Sequence, residues 1–131
     1  MIYDISRTLS PQIAVWPGDT PLSVAPHLRL ADGDSVNLTT LNLSAHTGTH
    51  ADAYFHYEAD GPHPAQLPLA AYMGPAHVVT VSKADGPLFP DDFAHADLTD
   101  VQRLLIHSHV SDLGDDQWPE QFPYLSVELI D

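Results

Sequence analysis

The sequence predicts a mixed α/β domain in which short β-strands outnumber short helices. Five short segments carry the apolar residues of predicted strands, and the first three alternate between apolar and polar residues, which is the spacing of a half-buried strand. Most of these segments are bounded by Pro, Gly, Asp or Ser, which favour turns. Helix-type patterns are confined to short stretches in the second half of the chain. Because 131 residues suffice to bury one hydrophobic core, we expect a single domain over residues 1–131.

The first third of the chain is expected to form three strands, at residues 1–9, 22–30 and 35–45. Between the first two, Pro17 and Gly18 predict a turn, since proline fixes φ at one residue and glycine frees the next. The third strand has the clearest alternation, and its leucines are expected to pack inward. Its opposite face would then present His46 from a rigid element.

The rest of the chain is expected to contain two more strands and a few short helical elements. The strands are predicted at residues 76–81 and 101–109, a helical turn at 67–72, a loop with a short helix at 87–100 and a further loop at 110–123. Ser126 is typical of an N-cap and predicts that a helix begins there. A helix that ends at residue 131 needs further packing. We therefore expect the chain to be C-terminally incomplete, the front part of a longer protein.

Three histidines and one aspartate lie close together between His46 and His56, with the spacing His-x3-His-x-Asp-x3-His. Neutral imidazole and carboxylate are the ligands that zinc, manganese and iron take in a site without thiolate. Gly48 lies between two threonines and allows a sharp bend that brings both sides of the segment onto one ion. A helical arrangement of His46 and His50 is disfavoured, because Gly and Thr are poor helix formers. The alternative is a chance cluster of histidines on a polar edge.

Several other side chains have two open interpretations. Trp16 lies on the Pro-Gly turn and is either a packing residue or a flat wall for an aromatic ligand. Glu58 and His63 are either further metal ligands or solvated loop residues. His107 and His109 share one phase of a predicted strand and face either the site or solvent.

Composition excludes several classes of function. The chain has no cysteine, which removes disulfides, thiolate metal sites and cysteine nucleophiles. Its formal charge of −14 would repel nucleic acid and anionic membranes, so neither is an expected partner. The N-terminal residues lack the pattern of a signal peptide, and no apolar stretch is long enough to span a bilayer. A cytoplasmic location is therefore expected.

With these motifs, the chain resembles the cyclase family of metal-dependent hydrolases and looks most like the bacterial kynurenine formamidases, or arylformamidases. The family motif is His-x-Gly-Thr-His-x-Asp-x-Pro-x-His. Residues 46–56 match it at every fixed position except Tyr54, where the family has proline. Residues 3–6 and 15–19 match the N-terminal signature of the family, and residues 72–75 match a later Gly-Pro turn.

The resemblance implies a barrel-like, swivelling β/β/α-like fold and a homodimer. It implies that His46, His50 and Asp52 bind a first zinc ion and that Asp52 bridges to a second. His56 would be the proton donor and acceptor, and Trp16 would contact the substrate. Two Zn²⁺ are expected per full-length subunit, with Mn²⁺ as the other candidate. The remaining histidine and glutamate ligands of the family lie in a C-terminal segment beyond residue 131, so this form is expected to have an incomplete second site and to be inactive or metal-free.

The implied reaction is hydrolysis of N-formyl-L-kynurenine to L-kynurenine and formate, in tryptophan degradation. Zinc would lower the pKa of its bound water to about 7, and His56 would move the proton to the departing aniline nitrogen. The small-molecule partner is therefore an aryl formamide. Two alternatives remain open at this point. One is another cyclase-family hydrolase that opens a cyclic amide or lactone, such as an isatin-like substrate. The other is a non-catalytic module for metal binding or dimerisation.

Overall fold

The computed structural model describes residues 3–130 and has a mixed α/β architecture with few, short helices. Within these residues there are six strands and one α-helix, joined by single turns of 3₁₀-helix. Their bounds are β1 Ser23–Leu28, β2 Leu38–Asn42, β3 His77–Thr80, β4 Gly86–Leu88, β5 Leu104–His107, β6 Pro123–Leu125 and α1 Val127–Ile130. The strands of this described part form three two-stranded sheets and no closed barrel. The predicted α/β class is thus confirmed.

The chain divides into two compact units. The first contains the described residues up to Asp52 together with Gly114–Trp118, and the second contains Ala53–Leu113 and the described residues from Pro119 onward. The candidate metal ligands His46, His50 and Asp52 all belong to the first unit. The expectation of a single domain over residues 1–131 stays a prediction.

An antiparallel hairpin of β1 and β2 is the regular part of the first unit. Ser23 pairs with Asn42 at one end and Leu28 with Leu38 at the other, and the register shifts between Pro26 and Leu28. Proline has no N–H for the ladder, which suits it to such an irregularity. The strand predicted at residues 22–30 is therefore confirmed in a shorter form.

Three expectations for the first unit are wrong: the strand at residues 3–9, the position of His46 on a strand, and the inward packing of the leucines. Residues 3–9 form no strand, and side chains take up two of their backbone N–H groups: Ser6 N–H donates to the nearby Asp4 Oδ1 and Arg7 N–H to the distant Thr49 Oγ1 (Met1 and Ile2 of this predicted strand lie outside the described residues). The strand predicted at 35–45 is confirmed in a shorter form, Leu38–Asn42, but His46 lies beyond it in a turn and not on a strand face. Leu41 of that strand is 58% exposed, because both strands of the hairpin are open to solvent.

The second unit holds a hydrophobic core cluster, which is formed by Val79, Val81, Leu88 and Phe93. Two parallel strand pairs build it, β3 with β5 and β4 with β6. The strands predicted at 76–81 and 101–109 are confirmed in shortened form. The strands β4 and β6 were missed, since each is only three residues long, contains proline and is stabilised by a partner distant in sequence.

The short terminal helix begins where the sequence predicts. Ser126 Oγ accepts a hydrogen bond from Leu129 N–H at 3.2 Å, which is the N-cap interaction expected of serine. Helix α1 then covers Val127–Ile130. Asp131 lies outside the described residues. Within residues 3–130, no helix has the length and apolar character needed to cross a membrane.

The core of the second unit gives a direct test of stability. Leu88 is 1% exposed, so Leu88→Ala should leave a cavity and lower the free energy of unfolding by about 2–5 kcal/mol. Val78, which is 60% exposed on β3, is the control, and Val78→Ala should cost less than about 1 kcal/mol. Urea unfolding followed by circular dichroism measures both. Equal losses for the two variants would contradict the assignment of the core.

Candidate metal centre

A sharp bend after β2 carries the first candidate ligands. Ser44 C=O accepts from Thr47 N–H at 3.2 Å, which starts the bend directly before Gly48. Gly48 has φ +67°, in the left-handed region that favours glycine. A Cβ atom at Gly48 would also lie 2.6 Å from Leu9 Cδ2. The positive φ therefore favours glycine here, and the chain bends between His46 and His50.

The bend brings three donor atoms together. The Nδ1 atom of His46 lies 2.9 Å from Asp52 Oδ1 and 3.2 Å from His50 Nε2. His50 Nε2 lies 3.4 Å from Asp52 Oδ1. These atoms form a nearly equilateral triangle. In the described part of the chain, these three residues form the group that could hold a metal ion.

The size of the triangle fits a zinc-sized cation. With bonds of about 2.0–2.1 Å, neighbouring ligand atoms of a tetrahedral ion lie about 3.3–3.4 Å apart. The observed edges of 2.9–3.4 Å need only a small expansion to reach that geometry. The three side chains are 31–38% exposed, so solvent or a small ligand can reach the three donor atoms. Three protein ligands with an open position are typical of a catalytic rather than a structural metal site.

A backbone carbonyl orients one of the imidazoles. His50 Nδ1 lies 2.9 Å from Gly48 C=O, and only a protonated nitrogen can donate to a carbonyl oxygen. The proton is therefore on Nδ1, and the lone pair of Nε2 points to the triangle. Hydrogen bonds of this kind set the tautomer of metal-binding histidines. The same bend thus supplies both a ligand and the group that orients it.

Asp19 and Ser44 support the backbone of the other histidine, His46. The Ser44 Oγ atom accepts a hydrogen bond from His46 N–H at 3.2 Å. The Ser44 hydroxyl and the N–H of Thr20 both donate to the Asp19 carboxylate, and together they hold the pKa of Asp19 below its usual value. Ser44 therefore connects the Asp19 carboxylate to the backbone of His46. Sequence reasoning placed Asp19 only in a turn, and its role depends on a contact between residues far apart in the chain.

His56 lies in the second unit. It ends a 3₁₀ turn, Tyr54–His56, and its ring packs edge-on against Tyr57 at 4.4 Å between centroids. Tyr54, which replaces the proline of the family motif, occupies the first position of this turn. Proline suits the first position of a helix because its fixed φ is compatible there and its missing N–H is not needed. Here the turn is formed with tyrosine at that position.

The remaining candidates have other surroundings. His63 packs against Phe55 at 4.2 Å between ring centroids, and His107 Nε2 lies 3.6 Å from Asp112 Oδ1. His109 begins a 3₁₀ turn, and Glu58 is exposed. These four residues do not belong to the three-residue group. Trp16 is 58% exposed, which argues against the packing interpretation of that residue.

Two imidazoles and a carboxylate around one open position, on a mixed α/β fold, define a protein with a candidate site for a divalent cation. The chain belongs to the cyclase family: the family described as "Putative cyclase" matches residues 3–131.

Curated relatives carry a more specific name. The chain is 38% identical over 127 residues to the kynurenine formamidase of Bacillus cytotoxicus, covering 96% of this chain and 59% of the relative. It is 39% identical over 126 residues to that of Geobacillus thermodenitrificans, with 96% and 59% covered. It is 39% identical over 120 residues to that of Salinibacter ruber, with 91% and 57% covered. The chain thus spans about three-fifths of the length of these relatives.

The support of His46 by Ser44 leads to a prediction. Ser44→Ala removes the acceptor for His46 N–H and should weaken zinc binding about tenfold or more, as loss of a group that orients a ligand does. Asp19→Ala should have a similar effect, since it releases the Ser44 hydroxyl. Titration calorimetry with zinc measures the affinity.

Ser111 provides the matched control, because its Oγ also accepts a backbone hydrogen bond, from Ser108 N–H, outside the bend. Ser111→Ala should leave the zinc affinity unchanged. An unchanged affinity in Ser44→Ala would show that the hydroxyl does not position His46.

Proposed function

We propose that the full-length protein hydrolyses N-formyl-L-kynurenine to L-kynurenine and formate, as an arylformamidase that acts on a carbon–nitrogen bond other than a peptide bond. The observation that carries this proposal is the convergence of His46, His50 and Asp52 within 3.4 Å of one another. Membership of the cyclase family and the name of three relatives, kynurenine formamidase, support the choice of reaction.

His46, His50 and Asp52 would hold Zn²⁺, with Mn²⁺ as the alternative ion. A divalent cation in such a site polarises a carbonyl group and makes hydroxide available near neutral pH. The roles of the protein groups follow from their chemistry. His46 and His50 contribute neutral nitrogen ligands, Asp52 contributes charge that balances the cation, and access to the three donor atoms from solvent leaves space for the formyl group.

His56 is the proposed proton donor and acceptor. An aniline nitrogen is a poor leaving group as an anion, so it must gain a proton as the carbon–nitrogen bond breaks. Imidazole is suited to this transfer because it takes up and releases protons near neutral pH. Trp16, which is exposed, is proposed to contact the aryl ring of the substrate.

Further properties of the whole protein belong to the same proposal. We propose a barrel-like, swivelling β/β/α-like fold for the complete protein, a homodimer, a cytoplasmic location and two zinc ions per full-length subunit. Asp52 would bridge the two ions. Large exposed apolar side chains in the described residues, such as Val127 at 70% and Ile130 at 68%, support burial against further protein surface.

Two substitutions separate metal binding from proton transfer. His50→Ala should abolish both zinc binding and turnover, because it removes a ligand. His56→Ala should retain zinc and lower kcat by about a hundredfold or more, because only the proton transfer is lost. Elemental analysis measures the zinc, and formation of L-kynurenine measures the turnover.

Full zinc content in His50→Ala would contradict the ligand assignment, and full activity in His56→Ala would contradict the role of His56. Turnover of an isatin-like cyclic amide in place of N-formyl-L-kynurenine would identify a different hydrolase of the same family. Zinc binding without turnover of either substrate would favour a non-catalytic metal-binding module.

A further inference from the structure

The two tryptophans of the chain lie against each other in the first unit. The Trp16 and Trp118 rings are 5.5 Å apart between centroids and meet at 77°, an edge-to-face arrangement. Both remain accessible, at 58% and 41% exposure. Rings that served only to fill a core would be buried, because each carries a large apolar area. The pair therefore presents open aromatic faces to solvent.

Specific contacts hold Trp118 in this position. The segment Gly114–Trp118 is attached to the rest of the first unit through Asp115, whose C=O accepts from Ala14 N–H at 2.8 Å. The Asp115 carboxylate also pairs with the guanidinium of Arg7, with 2.8 Å between Oδ1 and Nη1. Anchored at Asp115, the segment places the Trp118 ring against Trp16.

Hydrogen bonds connect this aromatic pair to the candidate metal centre. Trp16 C=O accepts from Asp19 N–H at 2.9 Å, which closes the Pro-Gly turn. The Ser44 hydroxyl interacts with the Asp19 carboxylate and lowers its pKa, and Ser44 Oγ accepts from His46 N–H at 3.2 Å. The turn that carries Trp16 is therefore tied to the first ligand of the triangle, within the same unit.

We propose that Trp118 is a specificity-determining residue that forms, together with Trp16, a two-ring subsite for the aryl group of the substrate. This inference rests on the proposed arylformamidase activity. It assigns two residues of this chain to binding of the aryl group of the substrate. An aryl ring can stack on one exposed indole face while the other indole holds that face in a fixed orientation. A non-aromatic formamide would gain nothing from this contact.

The test compares two substitutions of Trp118. Trp118→Leu retains apolar bulk but removes the flat face, so it should weaken binding of L-kynurenine about three- to tenfold in titration calorimetry. Trp118→Phe retains a flat ring and should restore most of the affinity. Phe122→Leu, a change at another partly exposed aromatic residue, is the matched control and should have no effect.

Turnover distinguishes specificity from a general structural defect. In Trp118→Leu, kcat/KM for N-formyl-L-kynurenine should fall by a similar factor, while kcat/KM for N-formylglycine stays at the wild-type value. Equal losses for both formamides, or wild-type affinity for L-kynurenine in Trp118→Leu, would overturn the subsite.

Two outcomes distinguish a failure of the proposed function from a failure of the aryl subsite. If the wild type binds L-kynurenine through Trp118 but hydrolyses neither formamide, the subsite stands and the arylformamidase assignment falls. If the wild type hydrolyses N-formyl-L-kynurenine and Trp118→Leu has wild-type kinetics, the assignment stands and the role of Trp118 falls.

Discussion

The candidate site depends on one bend of the backbone, from Ser44 to Asp52. Gly48 makes the bend possible because its φ of +67° is unfavourable for other residues. Its carbonyl then orients His50, and the Ser44 side chain holds the backbone of His46. Without this bend the two imidazoles and the carboxylate would not converge on one position, and the motif would not form a metal site.

The site is therefore built on a loop whose precision comes from hydrogen bonds and not from a strand. The first unit has little buried apolar surface around the hairpin, while the hydrophobic core cluster lies in the second unit. A cation held by His46, His50 and Asp52 would add a cross-link within this bend, so metal binding and local folding should be coupled. The link from Ser44 through Asp19 to the turn of Trp16 extends the same support to the aromatic pair.

Local patterns in the sequence predicted the parts that depend on neighbouring residues. The spacing of His46, His50 and Asp52 around a glycine identified the three residues that the structure brings together, and Ser126 marked the start of the last helix. The failures involve contacts between distant residues. Residues 3–9 alternate like a strand but bond to local side chains and to Thr49, and β4 and β6 exist only through pairing with each other. The Asp19–Ser44 contact and the Trp16–Trp118 pair likewise leave no local pattern.

Crystals grown with zinc and measured at the zinc absorption edge would test the central claim most directly. The account predicts one anomalous peak about 2.0–2.2 Å from His46 Nδ1, His50 Nε2 and Asp52 Oδ1, with a non-protein ligand completing the coordination. A zinc ion bound elsewhere, or these three side chains turned away from one another in the presence of zinc, would contradict it.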